Sequence, residues 1–187
     1  MSLPRFHSPF ALAAGQRVEL SSSAAHHAAK VLRMRVGDAL ILFDGGGGEY
    51  TAHLESIDKK RVVTNVDSHL PVERESPLAV TLVQAVSSRD RMDVTLQKAV
   101  ELGVARIVPV MSQRSVVRLS GERADQRVLH WQQVVIGACE QCGRNQVPQV
   151  GALIPLAAFL DRPSSGVGRW LLSPHTDHAK KKKKKPQ

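Results

Sequence analysis

The sequence contains few cysteines, few aromatic side chains and no long apolar run. Its 187 residues include two Cys, four Phe, two Trp and one Tyr. Two cysteines cannot build a disulfide framework, which indicates a reducing compartment. No stretch approaches the roughly 20 apolar residues of a membrane-spanning helix, and residues 1–10 lack the apolar core of a signal peptide. We therefore expect a cytoplasmic protein with no membrane partner.

The net charge of +9 comes largely from one end of the chain. Lys180 to Lys185 contribute six of the 26 basic residues, which leaves 20 basic against 17 acidic residues elsewhere, a charge of +3. A polyanionic partner therefore has to be inferred from local basic clusters in the folded part. Residues 178–187 are low in complexity and rich in lysine, which predicts a disordered tail.

Residues 1–70 predict a small β-rich domain with one helix. Ser21 to Ser23 offer N-cap hydroxyls to a helix over residues 24–33. Gly45 to Gly48 separate two strand patterns, which favours a hairpin turn over a phosphate-binding loop, because such a loop would lead into a helix. Short strands typical of a small barrel are expected over residues 16–20, 39–43, 49–57 and 61–67.

A second domain is predicted over residues 78–177, after a polar, proline-bounded linker at residues 71–77. Residues 78–86 form a nearly continuous apolar run, typical of a strand buried on both faces of a parallel sheet. Apolar residues three and four apart predict helices over 90–102 and 122–142. Further elements are expected as a strand over 107–111, a short helix over 155–160 and a third strand of the same sheet over 169–173.

The two patterns belong to different fold classes, α+β for the first and α/β for the second. Strand, helix and strand with short loops make a βαβ unit, whose crossover is right-handed in nearly all proteins. Three parallel strands make about half of a typical doubly wound sheet. The second domain is therefore expected to be incomplete, with an unpaired sheet edge.

Cys139 and Cys142 have the spacing of redox and zinc sites, but their context favours two helical cysteines packed in the core. A structural zinc site needs four ligands and the chain has no second cysteine pair. A redox pair lies at the start of a helix, whereas this pair lies at the predicted end of one. Lys98 and Glu101, three residues apart on a helix, predict an exposed ion pair.

Positively charged and imidazole side chains concentrate on and after the first predicted helix. His27, Lys30, Arg33 and Arg35 form this group, and Arg5 near the chain start is a candidate for the same face. Lys and Arg bind RNA phosphates with little regard to sequence. An ordinary solvated surface is the equal alternative, because few aromatic side chains are available to stack on bases.

Two polar clusters are placed where sites in α/β proteins form. Arg114 and Ser115 follow the second sheet strand, and ligands of open sheets gather beyond the carboxyl ends of strands. Glu140, Gln141, Arg144 and Asn145 lie at the end of the long apolar helix. A helix C-terminal cap is the alternative for this second cluster, with Arg144 at the negative end of the helix dipole.

Residues 5 to 173, taken together, resemble the bacterial 16S ribosomal RNA uridine N3-methyltransferases of the SPOUT class, often called RsmE-type. The order and spacing of several short segments carry the resemblance. These segments are Arg5-Phe6, His26-His27, Val31-Leu32-Arg33, Gly37-Asp38, Phe43-Asp44-Gly45, Gln97 to Val104, Arg114-Ser115-Val116, Glu140 to Arg144 and Val147-Pro148.

The resemblance implies an N-terminal PUA-like β-barrel that binds RNA and an incomplete SPOUT (trefoil-knot) α/β methyltransferase domain. It implies methylation at N3 of one uridine in 16S rRNA of the small ribosomal subunit, with S-adenosylmethionine as donor, and a homodimer. N3 carries a proton on a weakly acidic imide, so Arg144, Glu140 and Gln141 are the candidate catalytic residues that would help remove it or hold the anion. The resemblance implies no metal site.

The chain departs from the family in its last part. It contains neither the Gly-Pro-Glu-Gly-Gly loop nor the later Leu-Gly-x-x-Ile-Leu-Arg segment of the family. The main donor-binding segment is therefore expected to be missing, no donor-binding residue is assigned, and the chain as printed is expected to be inactive. Two other interpretations are a non-catalytic RNA-binding module and a nucleotide-binding oxidoreductase fragment, which the missing glycine fingerprint after residues 78–86 argues against.

Overall fold

The computed structural model describes residues 3–58, 61–113, 115, 119–163, 168–172 and 180–181. Within these ranges the chain forms a five-stranded sheet, a four-stranded parallel sheet with helices, and a two-stranded ribbon. No helix of the described part is long and apolar enough to cross a membrane.

The first domain is a curled sheet in the strand order β1-β3-β4-β5-β2. β1 pairs with β3 in parallel, and the other neighbours are antiparallel. The predicted strands are confirmed, and β1 is an addition that its three-residue length had hidden. The strands are β1 (Arg5–His7), β2 (Arg17–Glu19), β3 (Ala39–Phe43), β4 (Glu49–Ile57) and β5 (Val62–Leu70).

The single predicted helix is two consecutive pieces. α1 covers Ser22–His26 and starts as expected, because the Ser21 hydroxyl accepts the Ala24 amide at 3.3 Å. A π-helical turn then covers His27–Val31 and is closed by the Leu32 amide, which donates to the His27 carbonyl at 2.9 Å. The wider turn keeps Ala28 fully buried.

The glycine run between β3 and β4 is a hairpin turn, as predicted. The Asp44 carboxylate accepts the Gly46 amide at 2.9 Å, and Gly48 adopts a φ of +69° at the point where β4 begins. A side chain at Gly48 would collide with His69 and with the backbone of Leu70. Glycine is therefore required by space as well as by conformation.

The second domain is built on parallel strands. It consists of β6 (Thr81–Ala85), α2 (Arg89–Glu101), β7 (Arg106–Met111), α3 (Glu122–Cys142), β8 (Gln149–Val150), β9 (Ile154–Pro155) and α4 (Leu156–Leu160). β7 pairs with β6 on one side and with both β8 and β9 on the other. The predicted βαβ unit and both long helices are confirmed.

Two predictions for the parallel sheet are wrong. Residues 78–86 are not buried on both faces, because β6 has one neighbour among the described strands and Leu78 is 67% exposed. The strand over 169–173 does not join this sheet. Trp170–Leu171 (β10) instead pairs antiparallel with Lys180–Lys181 (β11), and the two-residue strands β8 and β9 take the place beside β7. Such short strands leave no periodic signal.

Helices α2 and α3 pack on each other through the faces that the apolar spacing predicted. Met92, Leu96, Val100, Trp131 and Val135 are all fully buried. Burying each side chain of this size contributes about 1.5–3 kcal/mol. The two helices end in the left-handed region, with Gly103 at +86° just beyond α2 and Gly143 at +84° beyond α3.

Two apolar clusters fill the interior, one in each domain. The first lies between the curled sheet and α1, and the second lies between the parallel sheet, α2 and α3. Phe43 is the exception, because it belongs to β3 of the first sheet but packs fully buried in the second cluster. Apart from Lys180–Lys181, the predicted disordered tail lies outside the described residues.

Candidate nucleic-acid interface and domain junction

Four of the predicted RNA-binding side chains lie together on one exposed segment. His27, Lys30, Arg33 and Arg35 are all exposed, on the π-helical turn and the loop after it. We call residues 27–35 the basic segment. The His27 ring packs edge-on against Phe6 with 5.9 Å between ring centroids, which fixes the start of the segment to β1. RNA contact by these side chains stays a prediction.

Apolar side chains in and beside the basic segment are also exposed. Val31, Leu32 and Val36 are 60%, 43% and 63% exposed, and along the chain they stand on either side of the two arginines. Exposed apolar groups rimmed by charged ones mark interaction surfaces more often than ordinary solvated ones. This observation favours a binding surface over a merely solvated one.

The backbone of the basic segment departs from regular geometry at two places. Arg33 has a φ of +54° and is the one non-glycine residue of the described part with a positive φ. Left-handed backbone at a residue with a Cβ costs about 1 kcal/mol. The π-helical turn just before it is a second irregularity, and both kinds cluster at functional sites.

Arg5 does not lie on this exposed face, which corrects the expectation from sequence. Its side chain is 12% exposed. It donates to the Glu49 carboxylate at 2.6 Å and to the side-chain oxygen Oδ1 of Asn145 at 2.6 Å. The guanidinium also lies 5.1 Å from the centre of the Phe43 ring. With its charge paired and buried, Arg5 belongs to the junction between the two domains.

Glu49 and Arg74 complete this ion-pair network, and sequence reasoning had singled out neither. The Glu49 carboxylate is 8% exposed and accepts from Arg74 at 2.8 Å as well as from Arg5. Hydrogen bonding from Arg74 holds the pKa of Glu49 below its usual range. Both arginines donate to Glu49, the first residue of β4. No spacing of residues in the sequence marks this position as part of a network.

Arg144 lies in the same junction and is nearly buried, at 6% exposure. Its Nε atom donates to the Glu75 carboxylate at 3.0 Å, and its Nη2 atom donates to the same group. Nη1 donates to the carbonyls of Val100 at 3.0 Å and Val104 at 2.9 Å, at the end of α2. The predicted linker is therefore anchored to the second domain. A catalytic role of Arg144 stays a prediction, and its partners are structural ones.

Glu140 and Gln141, the other predicted catalytic residues, differ in exposure. Glu140 is partly buried and accepts the His7 amide of β1 at 3.0 Å, whereas Gln141 is exposed. Burial raises the pKa of Glu140, and burial lowers the pKa of His7. The end of α3 thus contacts the first domain directly.

The two cysteines of α3 are free thiols, as expected for helical core residues. Cys139 is fully buried, and burial raises its pKa to about 12, so that it carries no thiolate at neutral pH. Cys142 is partly buried. In the described part of the chain no group of three or more His, Cys, Asp or Glu side chains is assembled that could hold a metal ion.

The carboxyl edge of β6 and β7 presents hydroxyl groups. Ser115 is partly buried there and accepts the Ser112 amide at 3.1 Å, while Arg114 lies outside the described residues. The Ser87 hydroxyl oxygen, just after β6, is buried and has no hydrogen-bond partner among the described residues. This edge, beside the start of α2, is where open parallel sheets bind ligands.

A cavity of about 210 Å³ lies at the opposite edge of the same sheet. Its walls come from the linker and from residues that precede β6, β7 and β8, such as Ala79, Ala105 and Pro148. The volume is below the roughly 300–1,000 Å³ of pockets that hold drug-sized ligands. The cavity is thus a gap beside the Arg144–Glu75 pair rather than a cofactor pocket.

Comparison with known proteins gives a consistent result for both domains. Residues 74–187 match a family model described as an RNA methyltransferase domain, and residues 20–67 match an RNA methyltransferase PUA domain. A ribosomal RNA small subunit methyltransferase E from Buchnera aphidicola (Schizaphis graminum) is 31% identical over 148 residues, which are 79% of this chain and 60% of that protein. The Bacillus subtilis protein of the same name is 33% identical over 125 residues, 67% of this chain and 49% of that protein.

Solved structures share the fold. The Neisseria gonorrhoeae ribosomal RNA small subunit methyltransferase E, bound to S-adenosylmethionine, is 47% identical with a TM-score of 0.83 over 88% of this chain and 67% of that one. A methyltransferase from Legionella pneumophila with bound S-adenosylmethionine is 40% identical with a TM-score of 0.85, over 89% and 69%. The chain spans about 60% of the length of the first curated relatives it matches. The resemblance seen in the sequence is confirmed, and the chain belongs to the RNA methyltransferase family with a PUA-like first domain.

Proposed function

We propose that the sequence descends from an enzyme that methylates N3 of a uridine in 16S rRNA of the small ribosomal subunit with S-adenosylmethionine as methyl donor, and that the 187-residue chain itself transfers no methyl group. The observation that carries this proposal is the match of both domains to RNA methyltransferase models, joined to an exposed basic segment on the PUA-like domain. Two structural relatives hold S-adenosylmethionine, which supports the choice of donor. We further propose that the protein acts in the cytoplasm as a homodimer.

RNA would approach along the basic segment. Lys30, Arg33 and Arg35 carry positive charge at the surface with no carboxylate partner among the described residues, and each suits one phosphate oxygen. Stacking on unpaired bases contributes little here, because no Phe, Tyr or Trp lies within the basic segment. Binding is therefore expected to follow the position of phosphates and to weaken steeply with salt.

We propose that the described residues supply only part of a donor site. The free Ser87 hydroxyl at the carboxyl edge is a group that a polar ligand would satisfy. The 210 Å³ cavity lies at the edge opposite the carboxyl ends of β6 and β7, so we do not assign it to the cofactor. We derive no step through the donor. For the 187-residue polypeptide, which lacks the Gly-Pro-Glu-Gly-Gly loop, we propose no methyl transfer.

Labelled methyl transfer tests this proposal. The 187-residue chain and, separately, the Neisseria gonorrhoeae relative would be incubated with labelled S-adenosylmethionine and undermethylated small ribosomal subunits. We expect label in 16S rRNA at uridine N3 with the relative and none with the chain. Transfer by the chain would contradict its proposed inactivity, and label at another base would contradict the N3 assignment.

A second candidate function is a non-catalytic RNA-binding module. The exposed basic segment favours it, because that surface is complete within the described chain. Filter binding over a salt series, with and without Lys180 to Lys185, distinguishes a folded surface from the tail. If binding vanishes with the six lysines, the segment contributes nothing and this candidate fails.

A further inference from the structure

We infer that the C-terminal end of α3 and the segment just after it form an interdomain latch, made of Glu140, Arg144 and Asn145, that holds the PUA-like domain and the linker on the α/β domain. In this role Arg144 and Asn145 are positioning residues rather than catalytic ones. The three side chains reach three separate segments of the chain, which are β1, the linker at residues 72–75 and the end of α2.

Asn145 is the centre of the latch and is fully buried. Its carbonyl oxygen accepts from Arg5 Nη2 at 2.6 Å, and its amide nitrogen donates to the Val72 carbonyl at 2.7 Å. One side-chain amide therefore joins β1 to the linker, using its acceptor and one of its donors. A buried amide in this position is expensive to replace by an apolar side chain, since Arg5 and Val72 would both lose a partner.

Arg144 ties the same linker to the second domain. Four of its five N–H groups are used, two on Glu75 and two on the carbonyls that end α2. The planar guanidinium fits a carboxylate and two carbonyls at fixed angles, which a lysine would not reproduce. A side chain so fully engaged has little capacity left for a substrate.

Glu140 connects the latch to the basic segment. It accepts the His7 amide of β1 at 3.0 Å, and the neighbouring residue Phe6 contacts the His27 ring. The Arg5 guanidinium also acts electrostatically on the Glu140 carboxylate. The start of the basic segment is thus two contacts away from the end of α3.

Such a junction fixes the distance between the basic segment and the carboxyl edge of β6 and β7. RNA bound to the basic segment is then held at a fixed distance from this edge. This consequence rests on the proposed function. The latch itself does not, because it follows from contacts within the chain.

Cleavage of the linker by a glutamate-specific protease tests the latch in the full 187-residue chain. Glu73 and Glu75 are the target sites. Asn145 holds the backbone carbonyl of Val72, one residue before Glu73, and Arg144 holds the side-chain carboxylate of Glu75. We expect Asn145→Ala to raise the rate of cleavage there at least tenfold, under conditions where circular dichroism shows the variant folded. Asn145→Asp keeps the acceptor for Arg5 but loses the donor to Val72, so it is expected to free the linker while the His7 amide stays protected from hydrogen exchange.

Val135→Ala is the matched control, because it weakens the core of α3 without touching the junction. The latch is overturned if Asn145→Ala is cleaved within twofold of the wild-type rate, or no faster than Val135→Ala at equal global stability. RNA binding by the same proteins is scored separately. Its absence in the wild type would contradict the proposed function and leave the cleavage result intact.

Discussion

The arginines of the basic segment and those of the domain junction are the same residue type in opposite environments. Arg33 and Arg35 point their charge into solvent with no carboxylate partner among the described residues. Arg5 and Arg144 have side chains that are 12% and 8% exposed, each against a glutamate. An unpaired exposed charge is available to a polyanion, whereas a buried paired charge holds the fold together.

The largest expected difference between the two regions is in stability. Arg144→Ala leaves the Glu75 carboxylate in a poorly solvated site without its partner, which costs about 3–5 kcal/mol of unfolding free energy. Arg35→Ala changes an exposed side chain and is expected to stay within about 0.5 kcal/mol. Urea unfolding followed by circular dichroism measures both. Equal midpoints would show that the junction arginine is no more structural than the surface one.

For RNA binding the order of the two regions is expected to be reversed, with the larger effect from replacements in the basic segment. Replacing Lys30, Arg33 and Arg35 together by Ala removes up to three phosphate contacts, which lowers the slope of log affinity against log salt by about 2–3. Filter binding with a 16S rRNA fragment between low and moderate salt gives the slope.

A charge-matched control removes three cations elsewhere on the surface. Arg91, Arg106 and Arg123 are exposed residues of the second domain, and their joint replacement by Ala is expected to change the slope by less than one. Equal losses for the two triple variants would mean that net charge, rather than the basic segment, governs binding.

A second test of the junction is how the stability of the Glu140→Gln variant changes with pH. The raised pKa means that folding favours the protonated carboxyl, so the wild type loses stability as pH rises above the ordinary value of 4.5 through the folded pKa. Gln has no such loss and still offers an oxygen to the His7 amide. The stability of the variant relative to wild type should therefore increase from about pH 4.5 to neutral pH, as read from paired urea curves. A constant difference would show that Glu140 has an ordinary pKa.

The smallest expected effect concerns the backbone of Arg33. Arg33→Gly relieves the left-handed strain and is expected to stabilise the fold by a few tenths to about 1 kcal/mol, while RNA affinity falls. Arg35→Gly, the neighbouring control, loses conformational restriction in the unfolded chain without relieving strain and is expected to destabilise slightly. Thermal melts and filter binding on both variants measure the effects. If both glycines act alike on stability, the conformation at Arg33 carries no strain.

Much of the fold could be predicted from the sequence because its elements are long and periodic. The bounds of α3 and of β3 and β4 agree with the apolar spacing to the residue. The errors fall on β6, whose apolar run lies at an edge, and on β8 and β9, which are two residues each. The local spacing of apolar residues shows neither that a strand lies at the edge of its sheet nor that two residues pair as a short strand.

The site residues were harder to predict because charge type carries no information on burial. The grouping of Lys30 with Arg33 was correct in placing both at one exposed surface. Arg5 was assigned to that surface since it is basic, and the structure places it against Glu49 instead. Glu49 was not foreseen in the junction, because its partners Arg5 and Arg74 lie 44 and 25 residues away in sequence. Asn145 was placed only in the polar cluster that follows the long helix, because its partner Arg5 lies 140 residues away.

The position of Phe43 affects whether the first domain can be separated from the second. This side chain lies on a strand of the first sheet, yet it is buried among the helices of the second domain. Residues 1–70 expressed alone would present that ring to water, together with a Glu49 that has lost Arg74. We therefore expect the PUA-like domain to be less stable alone than in the full chain, because part of its packing extends past the sequence boundary at residues 71–77.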